Sequence, residues 1–181
     1  MLESGGAQPD PAGPGFHPLA WHYGSRSMSG APKIVVVGLG YVGLPLAVAL
    51  AHHFEVIGFD IDPQRIAELG EGNDRTREVE ERELNASSLK LTNDAGDCAG
   101  ADVYIVTVPT PVDASNRPDL SAVIAATRTV AGLIDPARRP TIVYESTVYP
   151  GVTEGICGVE LERAGQLKRG RDFRLATVPS V

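Results

Sequence analysis

Three glycines and one aspartate have the types and spacing to do chemistry. Gly38, Gly40 and Gly43 stand in G-x-G-x-x-G order within the stretch KIVVVGLGYVGLPL, residues 33–46. Gly38 permits a tight turn, Gly40 lets a pyrophosphate approach bare backbone, and Gly43 lets a helix pack close to a sheet. Asp60 follows about 20 residues beyond the glycines, where a carboxylate accepts both hydroxyls of an adenosine ribose. A 2′-phosphate there would meet like charge, so the pattern favours NAD over NADP. Arg65, five residues further on, is placed to stack beside the adenine; alone it would argue for NADP, and Asp60 outweighs it. The motif by itself is also compatible with an ordinary glycine-rich turn. Its surroundings decide between the two readings.

Those surroundings are the elements that must hold the four residues. Ile34 to Val37 is a short β-branched run, the mark of a strand buried on both faces. Leu44 to Ala51 continues the apolar character long enough for a helix, whose first-turn N–H groups and dipole face the phosphates. Pro45 fits there, since a first-turn proline forfeits no intrahelical hydrogen bond. A second strand, Glu55 to Phe59, delivers Asp60 at its end.

Composition bounds the rest. The 181 residues are enough for one ordinary domain, and the net charge of −7 leaves no basic footprint for nucleic acid and no polybasic membrane patch. Two cysteines, Cys98 and Cys157, lack metal-ligand spacing, so neither a disulfide framework nor a metal site is expected. No apolar run reaches the length of a membrane span. The expectation is a soluble cytoplasmic protein with reduced thiols.

Residues 1–31 are rich in Gly, Pro and Ser and have no signal-peptide pattern; they read as disordered, or as an over-extended start with Met28 as the true initiator. His17, Trp21, His22 and Tyr23 within them are read as tail rather than as a docking patch. After Asp60, Pro63 to Gly70 predicts a helix that begins at proline and ends at glycine. Glu71 to Asn85 is densely charged, and Glu78, Glu80, Glu81 and Glu83 read as a solvated helix face. A short strand (Leu89 to Thr92), a helical connection (Asp94 to Ala101, with Cys98 packing as a small hydrophobe) and a buried strand (Asp102 to Val108) follow. Pro109-Thr110-Pro111 then forms a pre-set loop at a strand's carboxyl end, where open α/β sheets bind ligands. A polar loop from Val112 to Asp119 leads to an amphipathic helix, Leu120 to Leu133, with Asp119 or Ser121 as its cap. Thr141 to Tyr144 is a further strand, ending in the loop Glu145 to Gly151, and Val152 to Ala164 reads as a helix. Strands alternating with helices after a glycine-rich first turn predict a Rossmann-type α/β fold, a doubly wound parallel sheet.

Three motifs in order, GLGYVGLPLA, VPTP and ESTVYPG, make the stretch from about Pro32 to Phe173 resemble the amino-terminal NAD-binding domain of the UDP-glucose/GDP-mannose dehydrogenase family. Within that family the likeness is to the bacterial UDP-N-acetyl-glucosamine/galactosamine 6-dehydrogenases, which make uronic acids for surface polysaccharides. The resemblance implies that Tyr41 and Val42 lie against the pyrophosphate and that Asp60 and Arg65 belong to the adenosine end. It also implies that Thr110, Thr147 and Thr153 contact NAD or the reaction centre, with Thr147 positioning the water or the C6 oxygen. The implied reaction oxidises the C6 alcohol of a UDP-sugar to a carboxylate in two hydride transfers, through a thiohemiacetal and a thioester on a cysteine. A thiolate nucleophile makes physical sense, because it divides one hard oxidation into two easier steps. The implied intact protein is a homo-oligomer.

The family's catalytic cysteine and lysine belong to later segments. Neither Cys98 nor Cys157 sits in the expected Phe-Cys-Leu-Pro setting, so neither is assigned as nucleophile, and the domain is expected to be truncated at its carboxyl end. Glu145 reads equally as a polarising group or as a structural cap. The NAD-binding domain is expected over residues 32–175, followed by a divergent tail, 176–181, of sequence ATVPSV. The family continues with Gly-Tyr-Ser-Pro-Glu-Arg, and loss of one base from its codons would be read as Ala-Thr-Val-Pro-Ser-Val. A frame shift at Ala176 is therefore the expectation, and resequencing the locus tests it.

Overall fold

Strand β1, Lys33–Val37, lies at the centre of the sheet because its four residues after Lys33 leave no polar face. Val35 and Val37 point into one apolar cluster and Ile34 and Val36 into another, one on each side of the sheet. Burying such a side chain contributes about 1.5–3 kcal/mol against leaving it in water, so the strand is stable only with helices over both faces. The computed structural model describes residues 31–111, 118–145 and 152–177 of the chain. The amino-terminal stretch 1–30, residues 112–117 of the polar loop, residues 146–151 of the loop expected after Tyr144, and residues 178–181 lie outside the described residues.

The remaining strands are β2 (Glu55–Phe59), β3 (Lys90–Thr92), β4 (Val103–Val106), β5 (Thr141–Tyr144) and β6 (Arg174–Thr177). All pair in parallel in the order β3-β2-β1-β4-β5-β6. That is the Rossmann order, whose direction reverses between β1 and β4 and opens a crevice at the strands' carboxyl ends. Helices α1 (Gly43–Ala51), α2 (Pro63–Gly70) and α3 (Glu81–Ala86) follow the first two strands, and α4 (Ser121–Leu133) and α5 (Gly158–Gly165) follow the later ones. No helix among the described residues is long and apolar enough to cross a membrane.

Several elements match the sequence reading closely. β2, β5 and α2 have the expected bounds, and Asp62 caps α2 by accepting the Gln64 N–H at 2.9 Å, ahead of Pro63. At α4 neither expected residue is the cap: Leu120 holds that position, its O accepting the Ile124 N–H, and Asp119 sits one residue before it, its Oδ1 accepting the Ser121 N–H at 2.9 Å.

Other elements depart from it. The helix expected over Glu71 to Asn85 is confined to α3; Glu78, Glu80, Glu81 and Glu83 are exposed, but only the last two are helical. The first part of that stretch is instead a loop folded around a buried carboxylate, Asp74. The connection around Cys98 is a single 3-10 turn, Ala95–Cys98. The helix expected from Val152 begins as a π-helical turn, Val152–Cys157, before α5 proper. β6 carries the sheet through Ala176 and Thr177, which pair with Val143 and Tyr144, so the ladder crosses the expected 175/176 boundary.

Candidate functional site: a dinucleotide cleft at the sheet's switch point

The turn after β1 is built by contacts that only glycine allows. Gly38 has φ +95°, and its N–H donates to Phe59 O at 2.8 Å, tying the turn to the end of β2. A Cβ on Gly43 would overlap Gly38 O and Thr107 Oγ1, so α1 presses directly on the turn. A Cβ on Gly40 would meet nothing within 4 Å. The open space beside Gly40 is the room a pyrophosphate needs, and the first turn of α1 faces it.

Asp60 sits just past β2, half-buried. Its Oδ2 accepts the Leu39 N–H at 2.8 Å and its Oδ1 accepts the Asp62 N–H at 3.0 Å. Each oxygen retains a lone pair, enough for two ribose hydroxyls. Leu39 itself is fully buried, with its side chain over Gly58.

Gly38, Gly40, Asp60 and Arg65 line one cleft of about 410 Å³, together with Val108 and Pro109 after β4 and with Ala122, Ala125 and Ala126 of α4. These four of the sequence-predicted residues thus converge at the crevice between β1 and β4. Tyr41 and Val42 are exposed and outside its lining, Thr110 lies half-buried two residues after Val108, and Gly43 packs against the turn. Thr147 lies outside the described residues. Thr153 falls in the π-helical turn, whose backbone alone is described there. Glu145 extends the β5 ladder, its N–H donating to Val106 O at 2.9 Å.

Arg65 reaches the cleft in an unexpected way. It is only 4% exposed, and its guanidinium turns inward: Nε and Nη2 donate to Leu39 O at 2.9 and 2.8 Å, and Nη2 also pairs with Asp74 at 2.7 Å. Its Nη1 is the one buried side-chain polar atom without a partner among the described residues.

Two residues that brace this site, one lining it and one behind it, escaped the sequence reading. Thr107 Oγ1 donates to Gly38 O at 2.7 Å and lies 3.1 Å from Val37 O, locking the turn to β4. A hydroxyl directly after an apolar strand was the available signal. Asp74 gave none, being one acid among many.

The thiols are inert by environment. Cys98 and Cys157 are each 1% exposed. Burial pushes the Cys98 thiol up to about 11, and burial likewise raises Cys157 despite the Thr127 and Tyr144 hydroxyls beside it. Neither is a thiolate near neutrality. A thiol-disulfide reagent at pH about 8 should therefore label neither cysteine in the native chain and both after unfolding in guanidinium. Rapid labelling of the folded chain would contradict the burial of both side chains.

Residues 32–181 match the UDP-glucose/GDP-mannose dehydrogenase family, NAD binding domain. The chain belongs to that family, and NAD is the cofactor of its domain. Among the family's relatives, a UDP-N-acetyl-D-glucosamine 6-dehydrogenase of Pseudomonas aeruginosa is 46% identical over 142 residues, covering 78% of this chain and 33% of the relative. Protein CapL of Staphylococcus aureus is 47% identical over 147 residues, covering 81% of this chain and 34% of CapL. A solved UDP-D-ManNAc dehydrogenase from Pyrococcus horikoshii superposes with a TM-score of 0.74 at 35% identity, covering 82% of this chain and 36% of that one. The chain thus spans about a third of the length of the family members it matches.

Proposed function

We propose that this chain is the cofactor-holding part of an NAD-dependent nucleotide-sugar 6-dehydrogenase, one that oxidises the C6 alcohol of a UDP-N-acetylhexosamine to a uronate for surface polysaccharide. The observation that carries the reading is the Asp60 carboxylate, fixed by two backbone N–H groups at the mouth of the β1–β4 crevice with acceptor capacity to spare. NAD supplies the hydride acceptor. The chain's own residues bind and orient it: Asp60 takes the adenosine ribose, Gly38 and Gly40 give the pyrophosphate bare backbone, and Tyr41 and Val42 flank it. Thr110, Thr147 and Thr153 serve the nicotinamide end, with Thr147 holding the water or the C6 oxygen. The two hydride transfers convert R–CH2OH, one water and two NAD+ to R–COO−, two NADH and three protons.

The oxidation also needs a thiolate, and neither cysteine of this chain is one. The 181-residue chain is therefore expected to bind NAD yet to produce no NADH when UDP-N-acetylglucosamine is added. In the cytoplasm the intact protein would work as a homo-oligomer.

Calorimetry with NAD and NADP tests the reading. NAD should bind at least about tenfold more tightly, a difference of about 1.4 kcal/mol set by a 2′-phosphate facing Asp60. A folded chain that binds neither dinucleotide, or prefers NADP, would overturn it. NAD binding with no downstream family sequence at the locus would favour a free-standing NAD-binding module instead.

A further inference from the structure

The loop between α2 and α3 is organised by one carboxylate that the cofactor reading does not use. Asp74, 8% exposed, accepts five hydrogen bonds. They come from the N–H groups of Thr76 (3.0 Å), Glu78 (2.9 Å) and Val79 (3.1 Å), from the Thr76 hydroxyl (2.7 Å), and from Arg65 Nη2 (2.7 Å). Burial alone would raise its carboxyl, but these donors together hold it well below the usual carboxylate range. The wrap is tight enough to put Arg77 at φ +58°, in the left-handed region.

From this hub a chain of bonds runs to the cofactor cleft. Arg65, held by Asp74, grips Leu39 O through Nε and Nη2; Leu39 N–H in turn donates to Asp60 Oδ2. Asp74 does not line the cleft, whereas Arg65, Arg75 and Thr76 do. Arg75 is itself clamped at the rim by Asp62 (2.9 Å) and Glu68 (2.6 Å). A buried ion pair is weak evidence for stability, since desolvation offsets most of its attraction. Its defensible role is to fix geometry, and here the geometry fixed is that of the dinucleotide turn.

We propose that Asp74 is a positioning residue for the cofactor: through Arg65 it sets the Leu39–Gly40 peptide, and through the Leu39 backbone, whose N–H lies in the preceding peptide, the Asp60 carboxylate. The inference rests on the cleft being the NAD site. It further implies that the 74–79 loop and the bound dinucleotide stabilise one another, because both depend on one guanidinium.

The test uses the full 181-residue chain with Asp74→Asn, Arg65→Lys and the double variant, titrated with NAD and with ADP-ribose at a temperature where circular dichroism shows each folded. Asp74→Asn should weaken both ligands about tenfold, equally, because the lost positioning lies at the adenosine end that they share. The double variant should lose no more than about twofold beyond the weaker single, since both changes act along one path. In the cofactor-free chain, amide exchange at Leu39 should rise in Asp74→Asn while Ile142 and Val143 of β5 hold their rates. A merely structural role would lower the melting temperature and speed exchange everywhere, leaving the affinity of the folded chain unchanged. That result, or additive losses in the double variant, overturns the proposal. If the unaltered chain binds no NAD, the cofactor reading fails on its own, and an unchanged Leu39 exchange rate then overturns the positioning as well. Should Asp74→Asn not fold, Arg65→Lys, which keeps the charge and loses the fork on Leu39 O, carries the same measurements.

Discussion

Replacing Asp60 with alanine is expected to weaken NAD binding about a hundredfold, or about 2.7 kcal/mol. Hydrogen bonds to a charged acceptor are each worth about 1.5–3 kcal/mol, and Asp60 has capacity for two ribose hydroxyls. The change also releases the Leu39 and Asp62 N–H groups, now 2.8 and 3.0 Å from the carboxylate, so the turn loses its side-chain tie just past β2 while keeping the Gly38 N–H bond to Phe59 O. Asp60→Asn should fall between the two, because its amide keeps one acceptor but must face a backbone donor with an NH2 group or turn that group toward the ribose. The preference for NAD over NADP should shrink in both variants, as the like charge is gone. Calorimetry on the folded chains decides it: an Asp60→Ala chain within about threefold of the unaltered one would remove this carboxylate from the site.

The second large effect is a split between two glycines three residues apart. Gly43→Ala should cost about 3 kcal/mol or more of stability, lowering the melting temperature by roughly 6–12 °C. Its Cβ would meet Gly38 O and Thr107 Oγ1, and the turn is not free to recede, because Gly38 N–H is bonded to Phe59 O. Gly40→Ala should leave stability within about 0.5 kcal/mol, since its Cβ meets no atom of the chain and its φ is not in the left-handed region. It should nevertheless weaken NAD, by placing a methyl group where backbone alone can face a pyrophosphate. Thermal melts and titrations of both variants separate the roles. Equal losses of stability would mean that the two glycines do one job.

What could be read in advance was whatever local sequence dictates. β1, β2 and β5 are β-branched runs with one possible environment, and the glycine spacing fixed the turn, the helix after it and the side of the sheet where ligands bind. Asp60 followed from its distance along the chain. The parts not legible are those that depend on distant partners. Asp74 sits in a run of charges whose neighbours are solvated, and only the arrival of Arg65, the Thr76 hydroxyl and three backbone N–H groups makes a buried position tolerable. Arg65 was placed at the adenosine end on its spacing, yet the burial that turns its guanidinium onto Leu39 O is a tertiary outcome. The π-helical start of the segment before α5 has no signal in the periodicity that predicted a helix there.

The bond from Thr107 to Gly38 O has a consequence for biosynthesis. The two residues are 69 positions apart, so at about 5–20 residues per second the ribosome makes the nucleotide turn roughly 3 to 14 s before the hydroxyl that locks it. Strand β4, which flanks β1 on its other side, arrives in the same interval. Until then one edge of the most apolar strand is bare in the nascent chain. The β1–α1–β2 unit is thus the stretch that most needs shielding during synthesis, and the cleft becomes able to hold a dinucleotide only once translation has passed Thr107.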